Sequence, residues 1–138
     1  MNINGYEIKP FANLVGADLR GVILQDVDLV GVDLRYADLQ DANLISANLM
    51  YANLKGADLK GADLRYAYLQ CANLYGAILE GANLKGAELE DAKLEGANLT
   101  GTILDKPLQG NKDLECRVKE LEEENKKLKT ALKVLMDT

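Results

Sequence analysis

The chain has 138 residues, a formal net charge of −6, no histidine, no tryptophan and two cysteines, enough for one compact domain with an appendage. Without histidine, the common nucleophile–base pairs and zinc sites lack their usual parts, so neither catalysis nor a metal, cofactor or small-molecule substrate is expected. The acidic balance disfavours direct binding to nucleic acid or anionic membranes, which are themselves polyanions.

Residues 1–11 carry Glu7, Lys9 and Pro10 and no apolar stretch of signal-peptide length, and no segment approaches membrane-spanning length. Cys71 and Cys116 lie far apart in sequence, and nothing suggests that they pair. Two lone thiols fit a reducing compartment, so a cytoplasmic location is expected. Tyr6, Ile8 and Phe11 form a candidate N-terminal cap.

From Leu14 to Leu104 every fifth residue is leucine, nineteen in a row, and the residue two before it is alanine in fifteen of the nineteen. A period of five fits neither a flat strand, where alternate leucines would face opposite ways, nor an α-helix, where they would spiral around the rod. The leucines share one interior only if the chain turns a corner in every repeat. Leu and the Ala two residues earlier then face inward, while the residues on either side of Leu face outward. The residue after the next suits a bend, with Gly at many of these places between Gly16 and Gly101 and Ser46 and Cys71 at others.

Stretches such as Ala37-Asp38-Leu39-Gln40-Asp41, Ala57-Asp58-Leu59-Lys60-Gly61 and Ala82-Asn83-Leu84-Lys85-Gly86 resemble the pentapeptide-repeat family. The resemblance covers residues 12–106. It implies an all-β solenoid, the right-handed quadrilateral β-helix of that family, with one repeat per side and four per coil. At the usual spacing of β-strands, 4.75 coils make a post only about 23 Å tall. The open ends of such a solenoid expose leucines and unpaired backbone groups and need covers.

Four repeats per coil align residues twenty apart, so Asp18, Asp38 and Asp58 stack in one outward column. With Glu88 and Glu90 they are candidates for an acidic contact surface. Some members of the family resemble duplex DNA in shape and charge and act as decoys for DNA gyrase. That makes a DNA-mimicking regulator of a DNA-binding enzyme the alternative function. Arg20 and Lys60 flank the Asp column, and Arg35 with Lys55 and Arg65 with Lys85 stack on neighbouring sides, breaking up the negative field. A second candidate partner surface places Val30 above Met50, with Tyr68 beside them and Tyr51 and Tyr66 at adjoining corners.

Residues 107–112 read as a linker, with Pro107 and Gly110 as breakers and Asn111 or Asp113 as N-cap of a helix over 113–138. Leu114, Val118, Leu121, Asn125, Leu128, Leu132 and Leu135 form a heptad stripe, alternating four and three residues apart. Leucine at d with one central Asn at a is the pattern of a parallel two-stranded coiled coil, in which the Asn pair fixes register. The g-to-e' pairs Arg117–Glu122 and Glu124–Lys129 attract, as a homodimer requires. A helix folded back over the last coil as a cap, or pairing with another protein's helix, are the other uses of the stripe. The primary expectation is therefore a non-enzymatic scaffold for an unnamed protein partner, a β-helical post made bivalent by a C-terminal coiled coil.

Overall fold

The computed structural model describes residues 1–105 and 113–137, with the helix side chains described from residue 119 onward. The linker expected over 107–112 lies outside the described residues, as do the side chains of Leu114 and Val118.

Parallel bridges join each outward residue to the one twenty places on, as in Asn13↔Asp33↔Asn53↔Asn73↔Lys93, so four repeats make one coil. The ladder is regular. The Leu34 N–H donates to the Asn53 carbonyl (2.8 Å), Tyr36 N–H to the Lys55 carbonyl (3.0 Å), and Asn53 N–H back to the Val32 carbonyl (2.9 Å).

Each corner is a turn closed by a bond from the inward alanine to the leucine three residues before it, such as Ala57 N–H to the Leu54 carbonyl (3.0 Å). The third residue of the turn takes positive φ, the geometry of a type II turn and the reason glycine recurs there. Asp26, Tyr36, Asp41, Ser46, Tyr51, Tyr66, Cys71 and Asp91 hold the same place with φ between 55° and 61°.

At some of these corners the missing Cβ also makes room for the ring one coil earlier. A Cβ on Gly56 would lie 2.6 Å from the Tyr36 ring, and one on Gly86 2.4 Å from that of Tyr66. Gly56→Ala should therefore cost about 1–2 kcal/mol from backbone conformation and displace Tyr36 as well. Thermal unfolding of Gly56→Ala in wild-type and Tyr36→Ala backgrounds checks this, with the smaller loss expected once the ring is gone.

The inward leucines from Leu19 to Leu79 and the alanines from Ala37 to Ala82 are at most 1% exposed, a dry two-residue core running the length of the post. Towards the C-terminal end Leu89, Leu94, Leu99 and Leu104 are only partly buried.

At the other end, β1 (Asn2–Ile3) and β2 (Tyr6–Glu7) pair antiparallel around Asn4-Gly5, both at positive φ. An Asn-Gly pair with positive φ at both residues is the favoured two-residue hairpin turn. Ile8 is buried, and Ile3 and Tyr6 pack against the core beside it. Phe11 departs from its expected capping role. It sits 61% exposed at a corner with φ 60°, its ring laid against Gly31 of the next coil. The turn bond from Ala12 N–H to the Lys9 carbonyl (3.3 Å) shows why, since the repeat's backbone already starts at Lys9 and makes Phe11 a corner residue.

The helix α1 spans Asp113–Met136, about 36 Å at 1.5 Å per residue. It returns along the side of the post. Lys119 Nζ lies 3.7 Å from an Asp91 carboxylate oxygen in the last full coil, and Lys127 Nζ lies 4.3 Å from the centre of the Phe11 ring in the first. The column it follows is the corner Asp91, Cys71, Tyr51, Gly31 and Phe11, each twenty residues from the next.

Candidate interaction surfaces

The outward Asp and Asn side chains serve the repeat itself. At thirteen such positions the side-chain oxygen accepts the backbone N–H two residues on, among them Asp18 from Arg20 (3.3 Å), Asp38 from Gln40 (3.1 Å) and Asp58 from Lys60 (3.0 Å). Short polar side chains that bond their own backbone in this way favour turns.

The column Asp18, Asp38 and Asp58 does stack by parallel bridges. Its charge is partly met by the same side of the solenoid. Arg20 donates to both carboxylate oxygens of Asp18 (2.9 and 2.8 Å) and approaches Asp38 at 3.6 Å, while Gln40 donates to Asp58 (2.9 Å). Arg35 and Arg65 grip Asp33 and Asp63 in the same forked manner.

The side-chain bond from Arg20, chiefly, holds the Asp18 carboxyl down at about 2. The same contact from Arg35 and Arg65 lowers Asp33 and Asp63 below their ordinary value. A carboxyl whose folded pKa is depressed stabilises the fold above its unfolded pKa and loses that contribution as pH falls through the folded one. The Asp18–Arg20 pair should therefore persist at pH 4 and open as pH falls through about 2, which side-chain carboxyl NMR checks through the Asp18 midpoint. An Asp18 midpoint near 4 would contradict the forked pair.

The apolar patch is divided by the helix. Val30, Met50 and Tyr51 are half-buried, and Val30 and Tyr51 line a cavity closed by α1. Tyr66 and Tyr68 remain 54% and 45% exposed. Glu88 is bridged to Tyr68 on this same side. Glu90 is half-buried, with one carboxylate oxygen enclosed.

Helix α1 presents Glu120, Glu123, Glu124 and Lys127 to the cavity, spaced three, one and three residues apart along one face. The described positions of the heptad stripe face elsewhere. Leu121, Leu128, Leu132 and Leu135 are 45%, 68%, 57% and 72% exposed, and Asn125 is exposed with them. Among the described residues, the helix therefore lays none of its stripe leucines over the last coil.

Sequence reasoning missed this docking. The signal available was the corner column carrying Phe11, Tyr51, Cys71 and Asp91 where glycine would be easier, together with the polar spacing of Glu120, Glu123 and Lys127.

Cys71 also departs from expectation. It is buried and disulfide-bonded, in a chain whose only other cysteine is Cys116. The expectation of two lone thiols fails, and with it the ground for placing the protein in a reducing compartment. Spacing in sequence was misleading because the returning helix passes the Cys71 corner. Among the described residues no group of His, Cys, Asp or Glu is arranged to hold a metal ion, and no helix is long and apolar enough to cross a membrane.

A family model described as Pentapeptide repeats matches residues 12–49, 28–65 and 67–105. The chain belongs to the pentapeptide-repeat family. Among solved structures, this pentapeptide-repeat protein is similar to one from the thylakoid lumen of Arabidopsis thaliana, at 38% identity and a TM-score of 0.67, covering 70% of this chain and 68% of that one. It is also similar to a pentapeptide repeat protein from Nostoc PCC 7120, at 40% identity and a TM-score of 0.55, covering 64% of this chain and 84% of that one. No curated protein matches the chain significantly.

Proposed function

We propose that this pentapeptide-repeat protein is a non-enzymatic interaction scaffold, in which α1 pairs with α1 of a second copy and so presents two β-helical posts together. One observation carries the reading: the helix docks on its own solenoid through a polar face and leaves Leu121, Leu128, Leu132 and Leu135 open to solvent. Exposed leucines at heptad spacing, with Asn125 among them, match the seam of a parallel two-stranded coiled coil. Two weak contacts held on one dimer act as a stronger joint contact. Tyr66 and Tyr68 on the open part of the solenoid side are the surface offered to a protein partner.

The DNA-decoy reading is the weaker one, because Arg20, Arg35 and Arg65 neutralise the carboxylates that would stand in for phosphates. The scaffold reading is tested by spin labels introduced as Asp137→Cys and measured by pulsed dipolar spectroscopy. A parallel coil puts the two labels on neighbouring helices whose axes are about 10 Å apart. An antiparallel pair would separate them by about 30 Å or more, and a monomer would give no defined distance. Either of the latter outcomes contradicts the proposal.

A further inference from the structure

We infer that the cavity between α1 and the first coils receives an arginine side chain of a partner protein. The inference rests on the scaffold reading above and names the chemistry of the partner's anchor. The cavity measures about 430 Å³, within the size range of sites for small ligands and single side chains. Its solenoid wall is apolar and aromatic, made by Phe11, Val30 and Tyr51.

The opposite wall is acidic. Glu120, Glu123 and Glu124 of α1 line it there beside a single lysine, Lys127. Glu123 and Glu124 take part in no ion pair among the described residues. Carboxylates set against aromatic faces make a site for a cation with a flat apolar body rather than for an anion or a hydrocarbon.

The protein already shows that a cation is held here, because Lys127 Nζ sits 4.3 Å from the centre of the Phe11 ring. That compact ammonium takes Phe11 and leaves Tyr51, Glu123 and Glu124 to an incoming group. A guanidinium stacks on an aromatic ring with its plane while its edge forks to a carboxylate, which an ammonium does not do. The twenty-residue coil sets the spacing of the aromatic wall, with Tyr51 two coils above Phe11 and Gly31 between them. At Gly31 a Cβ would lie 2.3 Å from the Phe11 ring, so the absence of a side chain lets the ring settle and leaves the cavity open.

The probe is N-acetyl-arginine N-methylamide, titrated into the full chain and followed by amide NMR. The control is the citrulline counterpart, which keeps the shape and loses the charge. The expected result is saturable shifts confined to Gly31, Tyr51 and residues 120–127, with millimolar affinity and citrulline weaker by about tenfold. Glu123→Gln with Glu124→Gln should weaken arginine by about tenfold while leaving citrulline unchanged. Both substitutions lie on an exposed part of the helix, and an unchanged spectrum away from the cavity verifies that the variant is folded.

Equal binding of citrulline, shifts spread over the acidic surface, indifference to the glutamate substitutions, or no saturable shift would each overturn the inference. Light scattering on the same samples separates it from the scaffold reading. Arginine binding by a protein that stays monomeric upholds the cavity and overturns the coiled coil, whereas a dimer without arginine binding overturns the cavity alone.

Discussion

Leu59→Ala should lower the unfolding free energy by about 2–5 kcal/mol, the range for deleting a fully enclosed leucine side chain. Leu59 is 0% exposed, and its N–H donates to the Ile78 carbonyl at 2.7 Å, a backbone bond that alanine keeps, so the loss is that of the side chain's packing alone. Each coil stacks only on its neighbours, and a void in the third coil leaves the coils above and below poorly seated. Asp58→Ser is the matched control, since Ser can still accept the N–H of Lys60 and should change stability by less than about 1 kcal/mol. Leu99→Ala should fall between the two, because Leu99 is only partly buried near the open end. Chemical denaturation of the three variants ranks them, and a larger loss at Asp58 than at Leu59 would contradict the inward assignment.

Leu128→Glu should abolish self-association while leaving the solenoid's thermal transition unchanged. Leu128 is 68% exposed in the single chain, so its replacement removes little buried surface from the folded protomer, yet in the coil it stands at a d position facing its own copy. Two glutamates there would be buried as like charges, an arrangement with no compensating partner. Asn125→Leu should act in the opposite sense, tightening association while relaxing register or oligomer number, because the buried Asn pair trades stability for specificity. Sedimentation velocity on both variants checks the pair. Association of Leu128→Glu as strong as that of the wild type would place the interface elsewhere.

The solenoid was legible because its period is a physical constraint: nineteen leucines five apart have one common interior, and the structure buries Leu14 to Leu84 there and packs the last four, partly buried, against it. The corner chemistry was legible for the same reason, since one residue per repeat must take positive φ. Three features were not legible. The hairpin at Asn4-Gly5 is announced by a dipeptide alone, without strands long enough to show alternation. The docking of α1 depends on Lys119 with Asp91 and Lys127 with Phe11, pairs 28 and 116 residues apart in sequence that only the returning helix brings together. The disulfide at Cys71 was hidden by the same return. The heptad stripe was visible as a pattern, but the pattern left open whether its leucines would be used inside or outside the protomer. The docking through Glu120 and Lys127 is what leaves them outward.

The pairing of two protomers through α1 is decided by the molecular mass in solution, measured by light scattering for the full chain and for a version ending at Gly110. The expected mass of the full chain is twice the 15.1 kDa protomer, falling to that of a single solenoid on truncation. A full chain that stays at one protomer's mass at every concentration tested would contradict it.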